Sequence, residues 1–239
     1  MKASIKKIGK CYILYDEDST SKVIPDWFSP DYWQSQQAIT GQALGRGAAW
    51  FIKKGSIEWV LRHYRRGGLV ARVMADQYLW TGLERTRAWR EWRLLLDMYQ
   101  SGLPVPPPVA ARVERHGLFY RADLLTVKIP NTQSLAQRLS TAYLDFSVWR
   151  KIGLIIARFH QAGICHADLN ANNILLDDQD RVFIIDFDRG TQRERGAWEK
   201  ANIDRLLRSL LKLHRLSGEK LYFKQSDWQV LSRTWQKSC

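Results

Sequence analysis

The stretch HADLNANNILLDDQDRVFIIDFDRG, from His166 to Gly190, constrains this chain more than any other. Its two apolar runs, Ile174-Leu175-Leu176 and Val182-Phe183-Ile184-Ile185, are too short for helices and lie either side of Asp177-Asp178-Gln179-Asp180. Short apolar runs flanking an Asp-rich cluster predict a β-hairpin, because Asp side chains satisfy turn backbone. With the turn centred between Gln179 and Asp180, Asn173 faces Asp186 at the open end, and Asp168 lies in the loop just before it. Two carboxylates and one amide oxygen then converge. Hard oxygen donors of that kind suit Mg²⁺, which pairs a few carboxylates with substrate phosphates.

The remainder divides at Lys128-Ile129-Pro130-Asn131. Before it the pattern is mostly β. Strands are expected at residues 12–15, 49–53, 57–63, 110–113 and 118–127, and a loop or short helix around Trp27 to Trp33. One helix is expected at residues 86–100, with Ala88, Trp92, Leu95 and Tyr99 along its apolar stripe and Glu91 within it. Gly45 and Gly47 form a glycine-rich turn between strands, where backbone N–H groups could approach phosphates. Strand 57–63 carries a cation, Arg62. After the boundary, Trp149, Ile152, Ile155, Ile156 and Phe159 recur at helical spacing, Gly163 stops that helix, and a last amphipathic helix is expected near residues 201–216.

Composition narrows the partners. The 239 residues suffice for one or two packed lobes, and the formal net charge of +13 implies an anionic partner: nucleotide, nucleic acid or an acidic membrane surface. Basic residues cluster at 62–66, at Arg85, Arg87, Arg90 and Arg93, and through Arg205, Arg208, Lys212 and Arg215. Many of the 11 Trp lie near them, either as core or as interfacial anchors. Cys11, Cys165 and Cys239 are too few and too scattered for a disulfide framework or zinc site, so a reducing compartment is expected. No signal-peptide pattern or membrane-span-length apolar run occurs, which predicts a cytoplasmic or peripheral protein.

Taken together, the motifs resemble those of protein-kinase-like phosphotransferases. The catalytic-loop pattern His-x-Asp-Leu-x-x-x-Asn stands as His166-Ala167-Asp168-Leu169-Asn170-Ala171-Asn172-Asn173, and the metal motif Asp-Phe-Gly as Asp186-Phe187-Asp188. The resemblance implies an α+β, bilobal fold. A β-rich N-lobe would occupy residues 1–130, with an N-terminal extension, the Gly-rich turn and a helix-C equivalent. A shortened α-rich C-lobe would occupy 131–239. It implies that Asp168 is the catalytic base and that Asn173 and Asp186 hold Mg²⁺. Gly45, Gly47, Arg62, Glu91 and the backbone of Thr126, Val127, Lys128 and Ile129 would bind ATP, with Glu91 holding the strand cation in place. Lys53 and Lys54 remain alternatives to Arg62.

The departures are informative. Ala167 replaces the Arg of His-Arg-Asp, Asn170 stands where a Lys is usual, and no Ala-Pro-Glu follows Asp186. These favour a small-molecule or sugar acceptor. Residues 61–69, 125–131 and 185–189 are similar to the Kdo (3-deoxy-D-manno-octulosonic acid) kinases of the lipopolysaccharide kinase family. That resemblance implies phosphorylation of the 4-hydroxyl of Kdo on a lipid A precursor, at the cytoplasmic side of the Gram-negative inner membrane, with a peripheral attachment to its anionic surface and no nucleic-acid partner. Two alternatives stay open: a kinase of the same superfamily acting on a small molecule, antibiotic or protein, and a basic nucleic-acid-binding protein on a kinase scaffold. Asp168, Asn173 and Asp186 argue against the last, since a non-catalytic scaffold need not keep them.

Overall fold

The computed structural model describes residues 1–18, 20, 22–43, 49–65, 76–217 and 220–239. Gly45 and Gly47, and with them the expected glycine-rich turn, lie outside the described residues. The chain forms two compact units, Met1–Gln100 with Pro106–Lys128, and Ser101–Val105 with Ile129–Cys239.

The first unit is built on an antiparallel sheet. In chain order its elements are β1 (Ala3–Ile8), β2 (Cys11–Asp16), a 3₁₀ turn (Pro25–Phe28), α1 (Pro30–Ser35), β3 (Ile39–Ala43), β4 (Ala49–Lys54), β5 (Ile57–His63), β6 (Tyr78–Leu79), α2 (Arg87–Gln100), β7 (Pro108–His116) and β8 (Phe119–Val127). The strands run β1-β2-β7-β8-β5-β4-β3, with β6 also on β8. Hairpins β1–β2, β4–β5 and β7–β8 each close on a two-residue loop whose first residue, Gly9, Gly55 or Gly117, has φ near +60°. Such loops need a residue that tolerates positive φ, and their twist matches that of the strands.

One core of this unit gathers Ile13, Trp27, Phe28, Trp33, Ile52, Trp59, Leu61 and Leu125. Helix α2 packs on β7 and β8 and buries Ala88, Trp92 and Leu95, whereas Tyr99, placed on the same stripe by spacing, is exposed. The tryptophans are core or partly covered: eight of the 11 are buried, and none is fully exposed. These eight follow the core reading, while Trp50, Trp80 and Trp198 are partly exposed. Indoles are drawn inward because they bury a large apolar area.

The second unit contains β9 (Gln133–Ser134), α3 (Leu135–Leu139), α4 (Phe146–Gln161), β10 (Ile164–Cys165), β11 (Ile174–Leu176), β12 (Val182–Ile184), β13 (Thr191–Gln192), α5 (Trp198–Leu216) and α6 (Gln225–Ser238). Asp145 caps α4 by accepting the Ser147 N–H at 2.6 Å. Gly163 ends that segment at φ +72°, and a Cβ there would lie 2.5 Å from the Arg193 carbonyl oxygen. The sequence reading placed the last helix at 201–216, but α6 follows it. Helix α6 lies against α4 so closely that a Cβ on Gly153 would sit 2.6 Å from the Leu231 carbonyl oxygen. Its buried apolar positions are few and large, Trp228, Leu231 and Trp235.

Candidate active site

The catalytic-loop hairpin forms, with its register one residue from expectation. Ile174 pairs with Ile184 and Leu176 with Val182, which sets Asn173 opposite Ile185 rather than Asp186. The Ile185 N–H donates to the Asn173 carbonyl at 3.0 Å. The cause is the turn. Asp177 N–H donates to Arg181 O and Asp180 N–H to Asp177 O, enclosing a three-residue loop whose last member, Asp180, has φ +54°. A type I turn followed by a left-handed residue adds one residue to the loop and shifts every pair. Asp177 stabilises this by accepting the N–H groups of Gln179 (2.9 Å) and Arg181 (2.8 Å) on Oδ1. Burial works to raise the Asp177 pKa, but those bonds and Arg181 overcome it and hold it below the usual range.

The hairpin therefore brings Asn173 and Asp186 to the same end, though not face to face. Asp186 itself adopts φ +64°, a conformation for which Asp is enriched among non-glycine residues. The next side chain, Phe187, is buried and packs on Phe159 and on the His166 ring, centroids 5.6 and 4.7 Å apart. It pins the Asp186 peptide to the unit's core.

Around Asp168 the loop is held by its own polar residues. The Asp168 N–H donates to His166 Nδ1 at 3.0 Å, so the ring proton sits on Nε2, 2.9 Å from the Ile185 carbonyl oxygen. His166 is thus a neutral strut between the loop and the start of the metal motif. The Asn173 and Asn170 amides both donate to the Asp168 carbonyl at 2.9 Å. That orientation turns Asn173 Oδ1, the atom able to ligate a cation, away from the loop. Asn170, in the place of the usual Lys, is folded back on the backbone, with its Oδ1 accepting the Asn172 N–H at 2.9 Å.

Helix α5 supplies contacts that the sequence reading missed. Asn202 brackets the His166 peptide, accepting its N–H at 3.1 Å and donating to its carbonyl at 2.9 Å. Arg205 donates to Asp168 Oδ1 through Nε at 2.8 Å and Nη2 at 2.5 Å. Ser209 Oγ accepts the Ala171 N–H at 3.2 Å. Residues 202, 205 and 209 share one helical face. That spacing was legible, but nothing in the sequence said what the face meets.

In the first unit, Arg62 and Glu91 form an ion pair between β5 and α2, Nη2 to Oε1, and the Tyr64 hydroxyl donates to Glu91 Oε2. Tyr64 was not foreseen, although its spacing of two from Arg62 puts both on one strand face. Burial acts to lower the Arg62 pKa, but the Glu91 charge outweighs it and the net shift is upward. Burial, then Glu91, pushes Tyr64 well above its usual range. Lys53 and Lys54 pair with Glu58 and Ile57 at the other end of β5, roughly 14–17 Å from Arg62 at ~3.4 Å per residue. Lys54 Nζ sits 3.3 Å from the ring centre of Trp27 and 4.4 Å from that of Trp59, and burial lowers its pKa to about 8. It is committed to that aromatic cage, which leaves Arg62 as the cation beside Glu91.

The Thr126–Ile129 stretch runs from the end of β8 into the segment that follows it. Thr126 is buried, the Val127 N–H donates to Pro107 O (2.9 Å) and the Lys128 N–H to Glu58 O (2.8 Å). Lys128 Nζ also pairs with Glu58 at 2.7 Å. The Ile129 carbonyl accepts from the Thr132 hydroxyl at 3.0 Å.

A second cluster, His160, Glu199 and Cys239, has ligand-type atoms within 4.8 Å of one another. Its chemistry does not suit a cation. His160 Nδ1 accepts the Trp235 indole N–H at 2.9 Å, which leaves the neutral ring's proton on Nε2 and no free lone pair. Burial holds His160 neutral, lowering its pKa to about 4. Glu199 is bound by Arg195 at 2.9 and 3.1 Å.

A loop-borne carboxylate, a hydrogen-bonded Asn and a motif Asp at one end of a hairpin suit phosphoryl transfer to a hydroxyl group. Comparison with known proteins gives the family. Residues 30–235 match the model of the lipopolysaccharide kinase (Kdo/WaaP) family. A 3-deoxy-D-manno-octulosonic acid kinase of Vibrio parahaemolyticus is 44% identical over 220 residues, 92% of each chain. Proteins of the same name from Stenotrophomonas maltophilia (48% over 202 residues, 84% of this chain and 80% of that one) and Actinobacillus succinogenes (40% over 233, 95% and 96%) are also similar. The chain belongs to the lipopolysaccharide kinase (Kdo/WaaP) family.

Proposed function

We propose that this protein transfers the terminal phosphate of ATP to the 4-hydroxyl of a Kdo residue on a lipid A precursor. The observation that carries the reading is the coincidence of the Asp168 loop with relatives named for this acceptor over more than nine-tenths of the chain. Asp168 offers Oδ2 to the acceptor hydroxyl, accepts its hydrogen bond and takes its proton. Among the described residues, both Arg205 donors fall on Oδ1. His166, Asn170 and Asn173 fix the loop backbone so that this oxygen needs no reorganisation. Asn173 Oδ1 and the Asp186 carboxylate are hard oxygen donors that fit Mg²⁺. A bound Mg²⁺ would neutralise charge on the phosphate oxygens. Arg62, locked by Glu91 and Tyr64, would present its guanidinium to nucleotide phosphate.

On the same reading the protein works at the cytoplasmic face of the inner membrane. No helix among the described residues is long and apolar enough to cross a membrane. Attachment would be peripheral. Supporting it, α5 carries Arg208, Lys212 and Arg215 beside the exposed Leu211 and Leu216. Basic residues near an anionic surface contribute about 1 kcal/mol each. The test is incubation with Mg-ATP and Kdo-bearing lipid A precursor, followed by mass spectrometry. One added phosphate on Kdo is expected, and transfer only to soluble sugars would overturn the acceptor assignment. Co-sedimentation with anionic vesicles, lost as salt rises and absent with neutral vesicles, checks the attachment.

A further inference from the structure

We infer that Arg205 binds the carboxylate of the acceptor sugar, and so selects an acidic sugar over a neutral one at Asp168. The inference rests on the reading of Asp168 as the base that meets the acceptor hydroxyl.

Arg205 and Asp168 are both about half exposed, with side-chain exposures of 46% and 54%. An ion pair so open to water adds little to stability. Its geometry suits a ligand better than a strut. Nε and Nη2 grip one oxygen, Oδ1. Among the described residues, Nη1 makes no hydrogen bond. A guanidinium has five donors in a planar fork, so its end-on edge, Nη1 with the outer hydrogen of Nη2, remains able to take a second carboxylate bidentately.

The chemistry of the acceptor demands such a cation. The proposed acceptor is an octulosonic acid, and so carries a carboxylate on the same sugar as the reacting hydroxyl. Delivering that hydroxyl to Asp168 brings a second negative charge within about one sugar ring of the first. Like charges so close oppose binding unless a cation lies between them. The loop offers none, since Asn170 is folded onto its own backbone. Arg205 arrives instead from α5, already touching Asp168, and can neutralise both carboxylates while leaving Oδ2 to the hydroxyl. Arg208, Lys212 and Arg215 continue the basic stripe along the same helix, where they would face the more distant phosphates of a glycolipid.

The test compares the Kdo-bearing acceptor with its carboxamide, in the full chain and in Arg205→Met and Arg205→Lys. In the unmodified protein the carboxamide should raise the acceptor KM by about 10- to 100-fold, the range for losing a charged hydrogen bond. KM for ATP should hold. Arg205→Met should raise KM for the acid by a similar factor and leave KM for the carboxamide nearly unchanged. Arg205→Lys should restore part of the preference, because it keeps charge without the fork. Any loss of kcat shared by both acceptors reports the hold on Asp168 and cancels in the ratio. If Arg205→Met impairs acid and carboxamide equally, or acts on KM for ATP, Arg205 serves the fold or the transferring phosphate and the inference is overturned. Equal use of acid and carboxamide by the unmodified protein overturns it while the functional reading stands. Absence of any transfer to the Kdo acceptor overturns both.

Discussion

Two arginine–carboxylate pairs, one in each unit, show how the same chemistry can serve opposite ends. Arg62–Glu91 is enclosed, with side-chain exposures of 22% and 2%, and Tyr64 completes it. Arg205–Asp168 is open to solvent, with no buried partner on either carboxylate oxygen among the described residues. Desolvation makes the first pair costly to break, because removing one partner strands a buried charge. The second can be broken cheaply, and on the proposed function its worth lies in what it presents to a substrate. In the first unit the pair is part of the architecture that holds β5 to α2. In the second the architecture is helix packing and backbone bonds, and the pair lies at the surface.

The largest expected effect is on rate. Asp168→Asn should lower phosphate transfer by ~10²–10⁴-fold, the usual range for losing a general base. Its stability in urea denaturation should stay within ~1 kcal/mol of the unmodified protein. A strongly destabilised Asp168→Asn would erase the contrast, since the open pair would then be structural.

Glu91→Leu should do the reverse. Stability should fall by ~3–5 kcal/mol by urea denaturation, because Arg62 is left charged and enclosed. Arg62→Met combined with Glu91→Leu should recover much of that loss and still show a raised KM for ATP. If the double variant is as unstable as the sum of the single ones, the two residues do not act as a pair.

Stability of the second unit should respond instead at the α4–α6 contact. Gly153→Ala places a methyl 2.6 Å from the Leu231 carbonyl oxygen and should cost ~1–3 kcal/mol. Arg205→Met, measured the same way, should cost less than ~1 kcal/mol. Equal losses would make the open pair as structural as the helix packing.

The smallest effect expected is on pH dependence, in the first unit. His63 lies on the opposite face of β5 from Arg62. Its Nδ1 is 2.6 Å from buried Asp123, which also binds Arg112 at 2.8 Å. The hydrogen bond to Asp123 raises the His63 pKa against the opposing effect of burial. The folded state therefore holds the proton more tightly than the unfolded chain. This contribution is full below the ordinary histidine pKa and is lost as pH rises through the raised value. Urea midpoints should fall across that window, and the fall should shrink in His63→Gln. An unchanged slope would remove His63 from the first unit's buried charge network.

Much of this was readable from the chain. Strand 57–63, helix 86–100 and the helix before Gly163 follow from periods of two and about 3.6, which depend on local geometry alone. The motif residues Asp168, Asn173 and Asp186 were visible because a loop and a hairpin keep sequence neighbours close. Three things were not. The hairpin register turned on whether Asp180 takes a left-handed conformation, a choice worth one residue in every pair. Helix α6, Gln225–Ser238, is seated by its close approach to Gly153 of α4, a contact between segments far apart in the chain that no local pattern reveals. The third was the α5 face, where Asn202, Arg205 and Ser209 meet the catalytic loop.

By itself the sequence determined the local elements, the catalytic motif and the excess of positive charge, because these depend on residue type and short spacing. Only the tertiary structure decided which cation meets which carboxylate. Arg62 is 29 residues from Glu91, and Arg205 is 37 from Asp168. Each pairing depends on how a helix packs against a strand or a loop. The same packing set Lys54 against Trp27 and Trp59 rather than Glu91, because a side chain's partners are set by the space left when the core closes.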